Sequence, residues 1–532
     1  MSLKLVTPAA DQSPNMTVEV RPRQVAEWLD RLPKANLFEA SRTLRDALSA
    51  LNRQKLGEDV RLKLLELYRA SIMELLPGLE QQLAGAALPL PEKQRQIALL
   101  ARELLVELAY GYKIILLDEI NRLISFGSKK QLPQVIQRAL SALGRILAIC
   151  YQTYAPTPAG IWSEMHQLYR YAVQHSLQEE AVPDGAATTS VNLAYKQALM
   201  LALADPYRLM QGEVATIMDF LAHFGDQAHL MPLAQISTTH GFFLVRTESD
   251  KPPKAMAQNA TDTDARSDIL LNTLDLARAM HQKIGKLESG ETPASLGLPE
   301  SAGNSAYLDL LRRLLRHWGI APKRHFNRVP NQAGVDICAG LRAVHHFLSG
   351  EKPCFAAASE ETQDAEITLQ VATSAIDRSS QQTFSSSKWV IANESAGGLA
   401  LSKASEDPVQ IRVGDLIGLK PENGASWNVG VVRWVKSDSP EDLELGVQML
   451  APNATPVTVK PVIASADAAF EMALLLPELP IVKQPATLLA PRGAYQGQRE
   501  FQLDQEGQLS HVRATRLLEQ TASFEQFQFT PS

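Results

Sequence analysis

The sequence predicts a multidomain α+β protein: an all-α N-terminal half, then a C-terminal antiparallel β-barrel with additional β segments after it. Three observations carry this. Up to about residue 235, apolar residues recur at helical spacing. After residue 320 the pattern changes to short runs rich in β-branched residues, separated by turn signals. The chain has 532 residues, 45% hydrophobic and 21% charged, which is enough to bury ordinary cores. At ~100–200 residues per domain, three or four domains are expected. The expected divisions are an all-helical bundle or solenoid over 20–235, a mixed linker and helical region over 236–320, a barrel over 321–460, and a β-rich extension over 461–532.

The helical half opens with "NLFEASRTLRDALSALNRQ", in which Asn36 and Glu39 have capping-box spacing. Leu44, Leu48 and Leu51 follow on one face. "RLKLLELYRASIMELL" puts Leu64, Leu65, Tyr68 and Ile72 on one side, and "QIALLARELLVELAYGYKIILLDEINRLI" is a long apolar-rich helix. Further helical patterns fall near 134–153, 161–177, 190–204 and 206–224, with no β-rich interval before about 235. No fixed period marks a repeat family. "HGFFLVRTESD" (240–250) reads as a short strand, and "KPPKAMAQNATDTDARSD" after it as a linker or exposed loop. In "AYLDLLRRLLRHWGI", Leu308, Leu311, Leu315 and Trp318 share a face opposite Arg312, Arg313 and Arg316.

The β region reads as "GVDICAGLRAVHHFL", "AEITLQVAT", "KWVIANES", "GGLALSK", "DLIGLKP", "NVGVVRWVKS" and "LELGVQML". The last segment adds strands ("ATLLAP", "REFQLDQ", "FEQFQF") around one helix candidate, "SHVRATRLLEQ". It either extends the barrel or forms a small domain of its own.

The net charge of −6, mixed along the chain, argues against a broad surface for nucleic-acid polymers and leaves room for a local basic pocket. Cys150, Cys338 and Cys354 form no CxxC pair, so neither a disulfide framework nor a cysteine zinc site is expected. The N-terminal twenty residues lack the apolar core of a signal peptide. No apolar run approaches the ~20 residues that span a bilayer. A cytoplasmic location is expected, in which the "NMT" sequon at 15–17 has no role.

Several enzyme signatures fail. "KIILLDEINR" resembles an ATPase strand, but no phosphate-cradling GxxxxGK[ST] loop exists, and Tyr112, Leu116, Ile120 and Leu123 fit a helix. HExxH and GxSxG are absent. His345 and His346 are adjacent in a strand-like run, so they point to opposite faces and chelate poorly. No metal site, no cofactor and no catalytic constellation is expected.

Two features remain. "RHFNR" spaces Arg324 and Arg328 four apart just before the β region. "NESAGG" places Asn393, Ser395 and Gly398 in a turn between strand-like runs. Taken singly, each has a plain reading. Arginines after a helix cap its carbonyls or stay solvated, and Asn, Ser and Gly are common turn residues.

Together, an RxxxR segment entering a small β-barrel and an [D/N]xSxxG turn resemble the PilZ domain, a family that binds the bacterial second messenger cyclic di-GMP. The resemblance covers about 320–460, including "VVRWVKS" and the run Gly446-Val447-Gln448-Met449. It implies a ligand set of Arg324, Arg328, Asn393, Ser395 and Gly398. The residue types suit that ligand. An arginine fork grips phosphate or the guanine O6/N7 edge and stacks on bases. An asparagine amide pairs with a guanine edge through both its donor and its acceptor. Serine is a small donor and acceptor, and the glycine is expected to adopt a backbone conformation closed to other residues.

The two motifs are separated by 349–384, read as an insertion between barrel strands. If instead a second β unit begins at 365, "RHFNR" falls in another subdomain. Arg378 lies nearer the turn but has no partner four residues away.

The resemblance implies a non-enzymatic cyclic di-GMP receptor that signals through its helical half to an unidentified protein partner, and that forms a homo-oligomer or acts alone. The GGDEF and EAL signatures of cyclic di-GMP turnover are absent. The competing expectation is a scaffold or adaptor whose barrel binds no nucleotide.

Overall fold

The computed structural model describes residues 3–10, 18–121, 128–233, 239–256, 263–319, 328–350, 384–395, 397–404, 407, 409–439, 441–463, 469–480 and 484–532. The chain forms two compact units, one of residues 1–86 and 90–324, the other of 87–89 and 325–532.

The first unit is built on α1 (Pro22–Asp30), α2 (Leu37–Arg53), α3 (Glu58–Leu83), α4 (Glu92–Asn121), α5 (Leu132–Gln152) and α6 (Ile161–Gln174). Asn36 caps α2 as its spacing with Glu39 predicts: its Oδ1 accepts from the Glu39 N–H at 3.3 Å, satisfying one of the orphan first-turn donors. "KIILLDEIN" lies within α4, and Tyr112 and Leu116 are fully buried there. A hairpin, β1 (Val182–Asp184) and β2 (Ala187–Thr189), then leads to α7 (Val191–Leu203) and α8 (Glu213–Phe224), so strand does interrupt the expected all-α stretch.

β3 (His229–Pro232), β4 (Phe242–Arg246), β5 (Lys254–Ala255) and β6 (Asp268–Asn272) form a sheet in the order β3-β6-β4-β5. α9 (Leu274–Glu288) and α10 (Ser305–Gly319) complete the unit. The segment read as a linker after "HGFFLVRTESD" thus contributes β5 and the first residue of β6. Its turn residues conceal strands of two and five residues, too short to show a period.

This sheet-and-helix part shares one apolar core with the helices before it. Trp318 is fully buried, and its Nε1 donates to the Met200 carbonyl at 3.0 Å. The loop after β4 binds α6 directly. Asp250 accepts from the Gly160 and Ser163 N–H groups at the start of α6, at 2.6 and 3.1 Å. His166 lies between the Tyr195 hydroxyl and the Lys251 carbonyl, at 2.5 and 3.0 Å, and burial lowers its pKa to about 4.

The second unit holds two closed barrels. β7 (Val329–Pro330) and β8 (Gly334–Ala339) precede α11 (Leu341–Leu348). β9 (Ser387–Ser395), β10 (Gly398–Lys403), β11 (Leu416–Pro421), β12 (Asn428–Ser437) and β13 (Leu443–Ala451) follow. The strands run β8-β9-β10-β13-β12-β11 around an antiparallel ring, which β11–β8 closes, and β7 adds to β9.

The last segment is a barrel of its own: β14 (Thr455–Pro461), β15 (Glu471–Leu476), β16 (Thr487–Pro491), β17 (Glu500–Gln505), β18 (Gln508–Gln520) and β19 (Phe524–Pro531), in the order β14-β15-β16-β19-β18-β17. Closure leaves neither ring an edge strand to pair with other chains. Val344, Leu416, Val431, Leu474 and Phe524 make a shared core between the barrels. Arg433 Nη2 meets Glu519 Oε2 at 2.8 Å across the same boundary.

Two expectations are corrected. "SHVRATRLLEQ" is strand β18, not a helix. "GVDICAGLRAVHHFL" is a strand and then a helix, broken at Gly340, whose φ of 93° few other residues adopt. His345 and His346 are therefore successive residues of α11. His345 is buried and hydrogen-bonded to the Val457 carbonyl at 3.2 Å, and burial lowers its pKa.

Candidate functional site

β9 pairs with the strand that follows Arg328 and carries Asn393 and Ser395 of the second motif. Its first half pairs with β8 (Gly334↔Val390) and its second half with β7 (Pro330↔Asn393, Val329↔Glu394). Between them the Ile391 N–H donates to the Ala333 carbonyl at 3.0 Å, so 329–339 acts as one interrupted strand along β9. Arg328, exposed, comes one residue before β7. Its backbone leads directly into β7, which pairs with Asn393 and Glu394.

β8, before residues 351–383, and β9, after them, are paired strands of the same barrel. Arg324, Arg378, "AEITLQVAT" and Cys354 lie outside the described residues.

On the other side of β9, β10 forms the return arm of the turn: Asn393 faces Ala400, and Ser395 faces Gly398. The Ser395 Oγ donates to the Gly398 carbonyl at 3.2 Å, which closes the turn. Gly398 is required for a different reason from the one its sequence suggests. Its φ is not in the left-handed region, but a Cβ there would lie 2.0 Å from the Val447 carbonyl oxygen. β13 crosses so closely that only a residue without a side chain fits.

The register then reveals a row of residues that the motifs do not name. Asn393 faces Ala400, Ala400 faces Gly446, and Gly446 faces Trp434. Directly opposed residues share a face. The alternate positions Leu401, Leu445 and Val435 are 0–1% exposed and fill the barrel, so this row lies outside it.

Trp434, partly exposed, lies flat on Gly446: the position of an added Cβ would be 1.7 Å from Nε1 and 2.2 Å from Cδ1 and Cε2. The result is a shallow ledge with an amide and a hydroxyl at one end, two small residues in the middle, and an indole at the other. Three strand spacings of ~4.8 Å put its ends about 14 Å apart along the curved surface. Arg433, next to the indole, is held by Glu519 and by Gln448 Oε1 at 2.8 Å.

Among the described residues, no group of His, Cys, Asp or Glu is placed to hold a metal ion. No described helix is long and apolar enough to cross a membrane.

Three family models match the chain in succession. Residues 242–376 and 356–456 match the middle PilZ domain of the cyclic-di-GMP receptor FimW. This chain carries a PilZ domain. Residues 23–235 match the N-terminal domain of the same receptor, and 457–532 match its C-terminal β-barrel domain. Along its whole length the chain is similar to the cyclic-di-GMP receptor FimW of Pseudomonas aeruginosa, at 29% identity, over 99% of this chain and 93% of the relative. The match to the middle domain begins at residue 242, whereas the fold packs 242–319 into the helical unit.

Proposed function

We propose that this chain is a cyclic di-GMP receptor, with Arg324, Arg328, Asn393, Ser395 and Gly398 as its binding set. The observation that carries the reading is the β7–β9 pairing, because Val329, the residue after Arg328, is opposite Glu394 of the Asn393–Gly398 segment. The full-length similarity to a cyclic-di-GMP receptor supports the same ligand. Asn393 and Ser395 read a guanine edge, the arginines grip phosphate or the second base, and Trp434 offers a flat face for stacking. Nothing in this scheme needs bonds to be made or broken, so the protein acts by binding alone.

In the sequence "RHFNR" stands between the helical half and the β region, and a ligand that binds both arginines acts on this joining segment. It shifts their equilibrium by its differential affinity for the two states, and the helical unit passes this to a cytoplasmic protein partner.

A thermal-shift titration tests the ligand. A hundredfold excess over Kd adds about 2.7 kcal/mol to the stability of the binding unit and raises its midpoint. An unchanged midpoint at saturating cyclic di-GMP means that the barrel is a scaffold module instead.

A further inference from the structure

We propose that Gln448 is a specificity-determining residue, set by Arg433 and by Glu519 of the second barrel to read the acceptor edge of a guanine stacked on Trp434. The proposal rests on the cyclic di-GMP reading above and deepens it. Gln448 is exposed and stands two residues after Gly446 on β13, in a stretch whose pairing with β10 has no bulge. Both therefore face outward, about 7 Å apart along the strand. Gln448 lies directly opposite Gly398, which lies opposite Ser395. A second outer row, Ser395-Gly398-Gln448, thus runs beside the ledge of Asn393, Ala400, Gly446 and Trp434.

A bulge in β12 builds the far end of both rows. Val432 faces Val447 and Trp434 faces Gly446, so Arg433 is the extra residue. Val432 and Val435 are each 0% exposed, and the two residues between them, Arg433 and Trp434, are both partly exposed. Strict alternation would send one of this pair inward. The bulge instead puts a guanidinium and an indole side by side on the outer surface. The indole has no aromatic partner among the described residues.

Arg433 then fixes Gln448. Its Nε donates to Gln448 Oε1 at 2.8 Å, and its Nη atoms form a fork on the Glu519 carboxylate, with Nη2 to Oε2 at 2.8 Å. An amide side chain ordinarily turns either its donor or its acceptor to a ligand. An arginine has donors only, so it takes the oxygen of this amide and leaves the nitrogen to the ligand. Gln448 Nε2 has no hydrogen-bond partner among the described residues. Two N–H donors beside an indole match a stacked guanine, whose O6 and N7 both accept. Adenine carries a donor, N6, where guanine has O6. Asn393 reads one base from the turn end, and Gln448 reads the other from the indole end. The same donors would serve a phosphate oxygen, and the test separates the two.

The test titrates fluorescein-labelled cyclic di-GMP with the full chain and displaces it with unlabelled cyclic di-GMP or cyclic di-AMP. Gln448→Glu keeps the size of the side chain and its partner Arg433 but replaces the donor with an acceptor. Cyclic di-GMP should bind this variant about tenfold more weakly, with the preference over cyclic di-AMP reduced by about as much and the melting midpoint unchanged. Gln448→Ala should lose affinity and preference in the same direction. Glu519→Ala should reduce the preference about threefold in the intact chain and not at all in a chain already carrying Gln448→Ala, a dependence that a merely structural role would not produce. Glu519→Gln takes its place if the alanine variant melts early. Unchanged affinity in both Gln448 variants overturns the assignment, while binding by the intact chain leaves the receptor reading standing. An equal loss for both dinucleotides means a phosphate contact and overturns base recognition. An effect of Glu519→Ala that persists without Gln448 overturns the positioning role. No binding of cyclic di-GMP by the intact chain overturns the receptor reading itself, and this proposal with it.

Discussion

The two barrels of the second unit have the same architecture and place their glycines differently. Both are closed antiparallel rings of six strands. In the first, Gly398, Gly418, Gly430 and Gly446 lie inside strands, where each added Cβ would strike a neighbour. In the second, Gly493, Gly497 and Gly507 all lie between strands, and Gly493 and Gly507 have φ near 90° and 85°. Glycine in a strand interior weakens the sheet and marks a close approach, whereas glycine at a turn serves backbone geometry. The first barrel thus gives up strand stability to bring β10 against β13 and to seat Trp434 on Gly446. The second is a filled support around Phe501 and Phe527, joined to the first through a common core.

The sharpest way to break this contrast is Gly398→Ala. The methyl group meets a backbone oxygen that cannot swing aside, and overpacking of this kind costs about 3 kcal/mol. Denaturant melts should show the first barrel destabilised by that amount. A change under about 1 kcal/mol would remove the close-approach argument.

Arg328→Ala leaves all described strand pairings in place and removes a charged donor beside the turn. Such hydrogen bonds are worth about 1.5–3 kcal/mol, so cyclic di-GMP affinity should fall by about ten- to a hundredfold with the melting midpoint unchanged. Trp434→Ala sharpens the role of the ledge: loss of one stacked base costs about 1 kcal/mol or more, a drop in affinity of about fivefold. Unchanged affinity would confine the ligand to the turn end. Gly507→Ala, in the second barrel, should cost about 1 kcal/mol through its positive φ and leave ligand affinity untouched.

The motifs were readable because their chemistry is local. Asn393, Ser395 and Gly398 sit in six consecutive residues, and Arg328 ends a five-residue segment. The ledge was not, because it depends on register. Bulges between Ala400/Leu401 on one pair and Val432/Trp434 on another decide that Asn393 and Trp434 share a face. A single slip in counting reverses such an assignment.

Irregular pairing also explains the misreading of β18. Its ladder with β19 shifts between Ala514 and Leu517 and again between Leu517 and Glu519. The shifts break the alternation expected of a strand and leave Val512, Ala514 and Leu517 at spacings of two and then three. The segment after β4 looked like a linker for the opposite reason: its strands are too brief to carry a period. The helical face of α10 was legible, with Trp318 at its C-terminal end, but the backbone that Trp318 binds, at Met200, lies more than a hundred positions earlier.

The central claim is that the outer ledge of the first barrel, entered by Arg328 and bounded by Asn393 and Trp434, binds cyclic di-GMP. Calorimetric titration of the intact chain and of its Arg328→Ala variant tests it most directly. The account predicts saturable binding by the intact chain and at least about a tenfold loss in the folded variant. Equal affinity in the two proteins would contradict it.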